Sequence, residues 1–128
     1  WETSADTPVL RDRLPGFPEA SRDDWVSSGA GVASAVVKDG TWMLFYASQS
    51  ANETLAGKRN PRIGMASAAD AKTFVRHAGD PLFGQGDIGN QPNGPFNPSA
   101  LFLEGHWYIW YECGNGFGLL RSTEDLGF

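Results

Sequence analysis

The sequence predicts an all-β fold of four-stranded antiparallel sheets stacked face to face, as the blades of a β-propeller are. Three observations predict it. The first is an internal repeat. Residues 34–46 (SAVVKDGTWMLFY) match residues 99–111 (SALFLEGHWYIWY) without a gap, at an offset of 65. Two further blocks follow the same order: 63–70 matches 117–124 at an offset of 54, and 1–10 matches 74–83 at an offset of 73. The offset changes only between blocks, where loops absorb insertions. The second observation is an acidic residue followed by glycine inside each long block, Asp39-Gly40 and Glu104-Gly105. Such pairs between apolar runs mark two-residue hairpins. The third is that 42–46 and 107–111 are apolar at consecutive positions. Both faces of such a strand need cover, and the runs are too short and too aromatic for helices.

The elements follow in order. Strand A covers about 33–38 and 98–103, ahead of each turn. Strand B covers 41–48 and 106–113, behind it. Strand C covers 62–67 and 117–122. Strand D covers 1–4 and 74–77, with a third start at Phe128. The chain therefore reads as one partial propeller domain, 1–128, with repeat 1 at about 1–73 and repeat 2 at about 74–128. Two blades leave open faces and edges, and a propeller typically holds about four to eight blades. The expected partners are the remaining blades or further copies of the chain.

Composition agrees with this and excludes other classes. The chain has 128 residues with 16 Gly and 8 Pro, which disfavours a helical bundle. Five Trp, eight Phe and three Tyr supply apolar mass for a core. The lone cysteine, Cys113, excludes an internal disulfide framework and a cysteine-rich zinc site. Ten basic against 15 acidic residues give a net charge of -5, which argues against a nucleic-acid partner. No apolar run approaches the roughly 20 residues that span a bilayer, so no membrane partner is expected. No signal-peptide pattern is present, and the first residue is Trp1 rather than Met. Processing, or excision from something longer, is the expectation.

The blade pattern resembles a known group. Ser-Ala-Val-Val-x-Asp-Gly-x-Trp-Met-Leu-Phe-Tyr from Ser34, Ile-Gly-Met-Ala-Ser-x-x-Asp from Ile63 and Asp-Pro-Leu-Phe from Asp80 resemble the five-bladed β-propeller glycoside hydrolases, the arabinanase, levansucrase and invertase group. The resemblance covers nearly the whole chain and lies mostly in structural positions. It implies a glycosidase acting on oligo- or polysaccharide, without a cofactor or metal, in a secreted or periplasmic setting, with the cytoplasm left open. It also implies three carboxylates around a central channel, the first in an Asp-Pro pair opening an innermost strand. The matching positions here are Val32-Ala33 and Asn97-Pro98. Valine cannot take a proton, and asparagine is no base at pH 7. The expectation is a ring whose carboxylates lie largely outside this chain, which alone is inactive. The alternative is a carbohydrate-binding propeller without catalysis.

In a four-stranded blade the D–A and B–C connections open on the face where strand A starts. That gathers 11–31, 49–61, 84–96 and 114–116 around one mouth. Its candidate sugar contacts are Arg59, Asn60, Asp87, Asn93 and Asn97, with Trp25 and Phe96 as stacking rings. Asn97 has the strongest position, as counterpart of the family's aspartate; its plainer reading is an Asn-Pro turn. The candidate catalytic carboxylates are Asp24, Asp87 and Glu112. Paired acids such as Asp23-Asp24 are also ordinary solvated surface. Glu112-Cys113 resembles the invertase Glu-Cys pair, but sits on strand B rather than an innermost strand, so a rim contact is the better reading. The stretch 84–89 fits G-x-G-x-x-G, yet Pro92, Pro95 and Pro98 forbid the helix a dinucleotide site needs. His77 and His106 fall too far apart in the blade to share a metal. His106 belongs at the end opposite the mouth.

Overall fold

The computed structural model describes residues 24–26, 31, 33–89, 93–114 and 116–122. The strand D segments at 1–4 and 128, and Val32 and Asp23, lie outside the described residues. The described chain is all-β apart from one short helix. Its elements are β1 (Ala33–Lys38), β2 (Thr41–Ser48), α1 (Ala51–Leu55), β3 (Arg62–Ala68), β4 (Val75–Arg76), β5 (Phe83–Gly84), β6 (Phe96–Leu103), β7 (His106–Cys113) and β8 (Gly116–Arg121). They form two antiparallel sheets, ordered β1-β2-β3-β4, with β5 also on β3, and β6-β7-β8. This is the all-β blade fold that the sequence predicts.

The turn chemistry sets both hairpins. Asp39 and Gly40 have φ of 49° and 79°; Glu104 and Gly105 have 52° and 79°. Two consecutive positive φ values define the turn whose twist matches that of its strands. The hairpins consequently share a register: Val37 faces Trp42 in one, and Phe102 faces Trp107 in the other.

Two features depart from the sequence reading. The 49–61 connection, read as loop, contains α1, and the mouth segment from residue 84 begins as the short strand β5. The helix has a local cause. Ser50 Oγ accepts from Glu53 N at 3.1 Å, and Ser50 N donates to Glu53 Oε2 at 3.2 Å, a reciprocal cap. β5 forms because Phe83 is buried against β3 beside Ile63.

The core sits between the two sheets. Met43, Phe45 and Ala47 of β2 and Ile63 and Met65 of β3 form one cluster with Trp107, Ile109, Tyr111 and Cys113 of β7. Phe45 and Trp107 meet at 5.1 Å between ring centres, and Phe102 packs on the same indole at 4.9 Å. Each such side chain contributes about 1.5–3 kcal/mol by leaving water. The reverse face of β2 is covered too: Tyr46 packs with Ala66, Ala68, Phe74, Trp25 and Val26. The β2 run from Met43 to Ala47 thus has cover on both faces, while Trp42 at its start stays 38% exposed. In β7 burial alternates instead, and Tyr108 and Trp110 lie on the less covered face. β1 and β6 run beside one another, joined where Ala100 N donates to Ser34 Oγ at 3.0 Å.

Candidate functional site

The hairpin turns occupy one end of the sheets. The starts of β1 and β6, the β2–β3 connection, β5 and the β7–β8 turn occupy the other. The predicted mouth is this second end. His106 lies at the far end, its Nδ1 within 3.0 Å of the Ser122 carbonyl.

At the mouth the β6–β7 register breaks between Phe96 and Ser99. Pro98 explains it, because proline has no N–H for the ladder. The irregularity holds Asn97 at φ 46°, a left-handed conformation that asparagine tolerates better than most residues. Such bulges re-aim a side chain and are common beside functional sites. Here the Asn97 amide Nδ2 donates to Glu112 Oε2 at 2.5 Å. Both side chains are exposed. Gly94 secures the approach from behind. A Cβ on it would sit 2.6 Å from Cys113 Cβ, so only glycine lets residues 94–97 lie against the end of β7. The structure therefore joins two candidates, Asn97 and Glu112, that are 15 residues apart in sequence.

The remaining candidates are placed differently. Trp25 is buried, stacked on Tyr46 at 5.6 Å with a 4° interplanar angle. A sugar-stacking platform needs an open ring face, so Trp25 serves here as core. Asp24 accepts from Val26 N and pairs with Arg76 at 3.3 Å, which ties it to β4. Asp87 Oδ2 accepts from Gly84 N at 2.7 Å and closes its own turn. Asn60 Nδ2 donates to Glu53 Oε1 at 2.7 Å and its backbone N–H donates to Gln49 Oε1 at 3.4 Å, so it organises the β2–β3 connection. Phe96 is half-buried against the central cluster. Arg59 and Asn93 are exposed, Asn93 with φ 59°. Neither is brought against the Asn97–Glu112 pair by a hydrogen bond among the described residues.

Two networks were not singled out from sequence. In the first, Glu53 receives both Arg62 guanidinium nitrogens, at 3.1 and 3.0 Å, as well as Asn60. Partial burial pushes its carboxyl up, but the Arg62, Asn60 and Ser50 hydrogen bonds outweigh that and hold it at about 2. The Ser-x-x-Glu spacing was the readable signal. In the second, the Asp80 side chain is fully buried and accepts from Tyr46 Oη at 2.7 Å and Met65 N at 2.9 Å. Burial raises the pKa of both, and the Asp80 charge raises Tyr46 further. Its signal was the Asp-Pro-Leu-Phe stretch, read only as a blade mark. Among the described residues, no three His, Cys, Asp or Glu side chains gather as metal ligands would.

The fold has a counterpart among solved structures. Zg3597, a family 117 glycoside hydrolase produced by the marine bacterium Zobellia galactanivorans, is a solved structure similar to this chain, with a TM-score of 0.60 at 13% identity. The fold is shared with a glycoside hydrolase. The similarity covers 93% of this chain and 42% of Zg3597, so the chain spans less than half the length of that enzyme. At that identity the likeness is one of fold. No protein-family model matches the sequence, and no curated protein matches it.

Proposed function

We propose that this chain forms part of the mouth of a glycoside hydrolase-like propeller, and that it contacts an oligo- or polysaccharide through Asn97 and Glu112. The observation that carries the reading is the hydrogen-bonded pair itself. An amide held by a carboxylate, on a strained backbone at the opening of an inner strand, is a rigid donor and acceptor set for vicinal hydroxyls. The pair leaves Asn97 Oδ1 and the second Glu112 oxygen without a hydrogen-bond partner among the described residues. The shared fold with a glycoside hydrolase supports a sugar as the ligand.

Hydrolysis of a glycosidic bond needs one group to protonate the leaving oxygen and a second to attack or activate water. Asp24 and Asp87 are engaged in ion pairing and turn closure. That leaves Glu112 as the one mouth carboxylate of the three candidates facing solvent beside Asn97. The reading is therefore binding by this chain, with the acid and base largely outside it. The alternative, a binding propeller without catalysis, draws on the same observation.

The test is titration of the chain with arabino- and fructo-oligosaccharides, followed by amide chemical shifts. Shifts should concentrate at 94–97 and 112–116. Asn97→Ala and Glu112→Gln should each weaken binding at least about tenfold, the worth of one or two lost hydrogen bonds. His106→Ala, at the far end, should change nothing. Equal loss from all three variants would show that the mouth is assigned to the wrong end. Hydrolysis by the chain, abolished by Glu112→Gln, would show that the carboxylates are not elsewhere.

A further inference from the structure

The Asn97–Glu112 pair has a definite polarity. A carboxylate only accepts hydrogen bonds, so the amide must present Nδ2 to Glu112, as it does. Asn97 Oδ1 lies on the other arm of the planar amide. With the second Glu112 oxygen it gives the mouth two acceptors, against one remaining amide hydrogen as donor.

Charge points the same way. Among the described residues Glu112 accepts from Asn97 and forms no ion pair. Its ladder neighbours are Phe96 on β6 and Phe117 on β8, which supply no counter-charge. Cations nearby in sequence or fold are committed elsewhere. Arg62 is held by Glu53 and Arg76 by Asp24. Lys38 lies over the Phe102 ring and Arg121 over Tyr108, toward the hairpin end. The pair therefore carries one negative charge that its own surroundings do not balance. A sugar hydroxyl would supply one hydrogen and leave that charge as it is. A uronate or sulfate group would bring further acceptors and a like charge. An ammonium group brings three donors, no acceptor and the opposite charge.

We propose that the pair takes the ammonium group of an amino sugar, with Asn97 Oδ1 and Glu112 accepting from it and the remaining amide hydrogen donating to the adjacent ring hydroxyl. On the reading of the mouth as a sugar site, on which this rests, the ligand class is a cationic oligosaccharide of amino hexoses. The adjacent hydroxyl separates it from a lysine side chain, which offers that hydrogen nothing. Glu112 is then the residue that sets specificity, and Asn97 the residue that orients it.

The experiment is calorimetric titration of the chain with a glucosamine oligomer and with its N-acetylated counterpart of equal length, at a mildly acid pH that keeps the amines charged. The charged oligomer should bind about five- to tenfold more tightly, the advantage of a charge-assisted hydrogen bond over a neutral one. Rising salt should shrink that preference, because the site is exposed. Glu112→Gln keeps the shape and removes the charge, so it should abolish both the preference and its salt dependence. Asp39→Asn removes a charge at the hairpin end and should leave the preference intact, which separates the site from net charge. Circular dichroism establishes that both variants are folded. A lysine oligomer of matched charge should bind at least about tenfold more weakly than the glucosamine oligomer; equal binding would make the ligand a basic peptide and overturn the proposal. Equal binding of the two sugar oligomers, or a preference that survives Glu112→Gln, would overturn the ammonium site and leave the sugar site standing. No binding of these or of the arabino- and fructo-oligosaccharides would overturn both.

Discussion

Asn97 reaches Glu112 across a break in the β6–β7 ladder, and it does so from a left-handed backbone conformation. The side chain and the backbone of that residue can therefore be altered separately.

Asn97→Gly removes the amide and relieves the backbone. Stability should hold or rise by up to about 1 kcal/mol, since glycine adopts positive φ freely. Asn97→Ala should cost about 1–2 kcal/mol at the same φ. Sugar binding should fall equally in both. Thermal melts set against oligosaccharide titrations check this, and binding loss that tracks stability instead would make Asn97 a folding residue.

Glu53 gives the chain an acid-sensitive element. Its carboxyl is held at about 2 against an ordinary 4.5. The folded pKa is the lower one, so the stabilisation is full above pH 4.5 and is lost as pH falls toward 2. Glu53 and Arg62 keep about a quarter of their surface in water, so screening limits the contribution to about 1–2 kcal/mol. Glu53→Gln should lower the melting temperature at pH 7 and flatten the dependence between pH 5 and 2. Denaturation at a series of pH values is the measurement.

The buried Asp80 network predicts two large losses. Tyr46→Phe removes the hydroxyl that Asp80 accepts from and should cost about 1–3 kcal/mol. At Gly64 a Cβ would lie 2.5 Å from the Trp25 ring and 2.6 Å from Asp80 Oδ2. Gly64→Ala should therefore dislodge Trp25 as well, at a cost of about 1–3 kcal/mol. A red shift of tryptophan emission in Gly64→Ala, absent in Tyr46→Phe, would separate the two effects.

The hairpin turns predict a matched pair. Gly105→Ala places a Cβ at φ 79° and should destabilise by about 1–2 kcal/mol, while Asp39→Asn keeps the preferred turn chemistry and should change little. Urea midpoints at constant slope test both.

The strands were legible because their signals are local. The two acidic-glycine pairs and the runs beside them place β1, β2, β6 and β7 almost to the residue. The helix α1 was hidden by length: five residues carry no amphipathic period, and only the Ser50–Glu53 spacing announced it. The site was half legible. Asn97 was found by its place at a strand start and Glu112 by its place at a strand end. Their contact depends on how Pro98 breaks the ladder, which no spacing encodes. Trp25 shows the reverse difficulty. An aromatic in a polar loop has the same sequence signature whether it faces a ligand or, as here, folds back on Tyr46.

The cluster that joins Phe45 and Ile63 to Trp107 and Ile109 draws on both sheets at once. Without the first sheet the second keeps no interior, and without the second the first keeps only the smaller cluster around Tyr46. The amides of β3 and β7 should then exchange with deuterium only through one shared opening, at a common rate and with a common response to denaturant. The β4 edge, two residues long and with Val75 exposed, should open on its own and well before them. Thermodynamically the pair of sheets is one cooperative unit, and the seam visible between them is not a line along which the molecule comes apart.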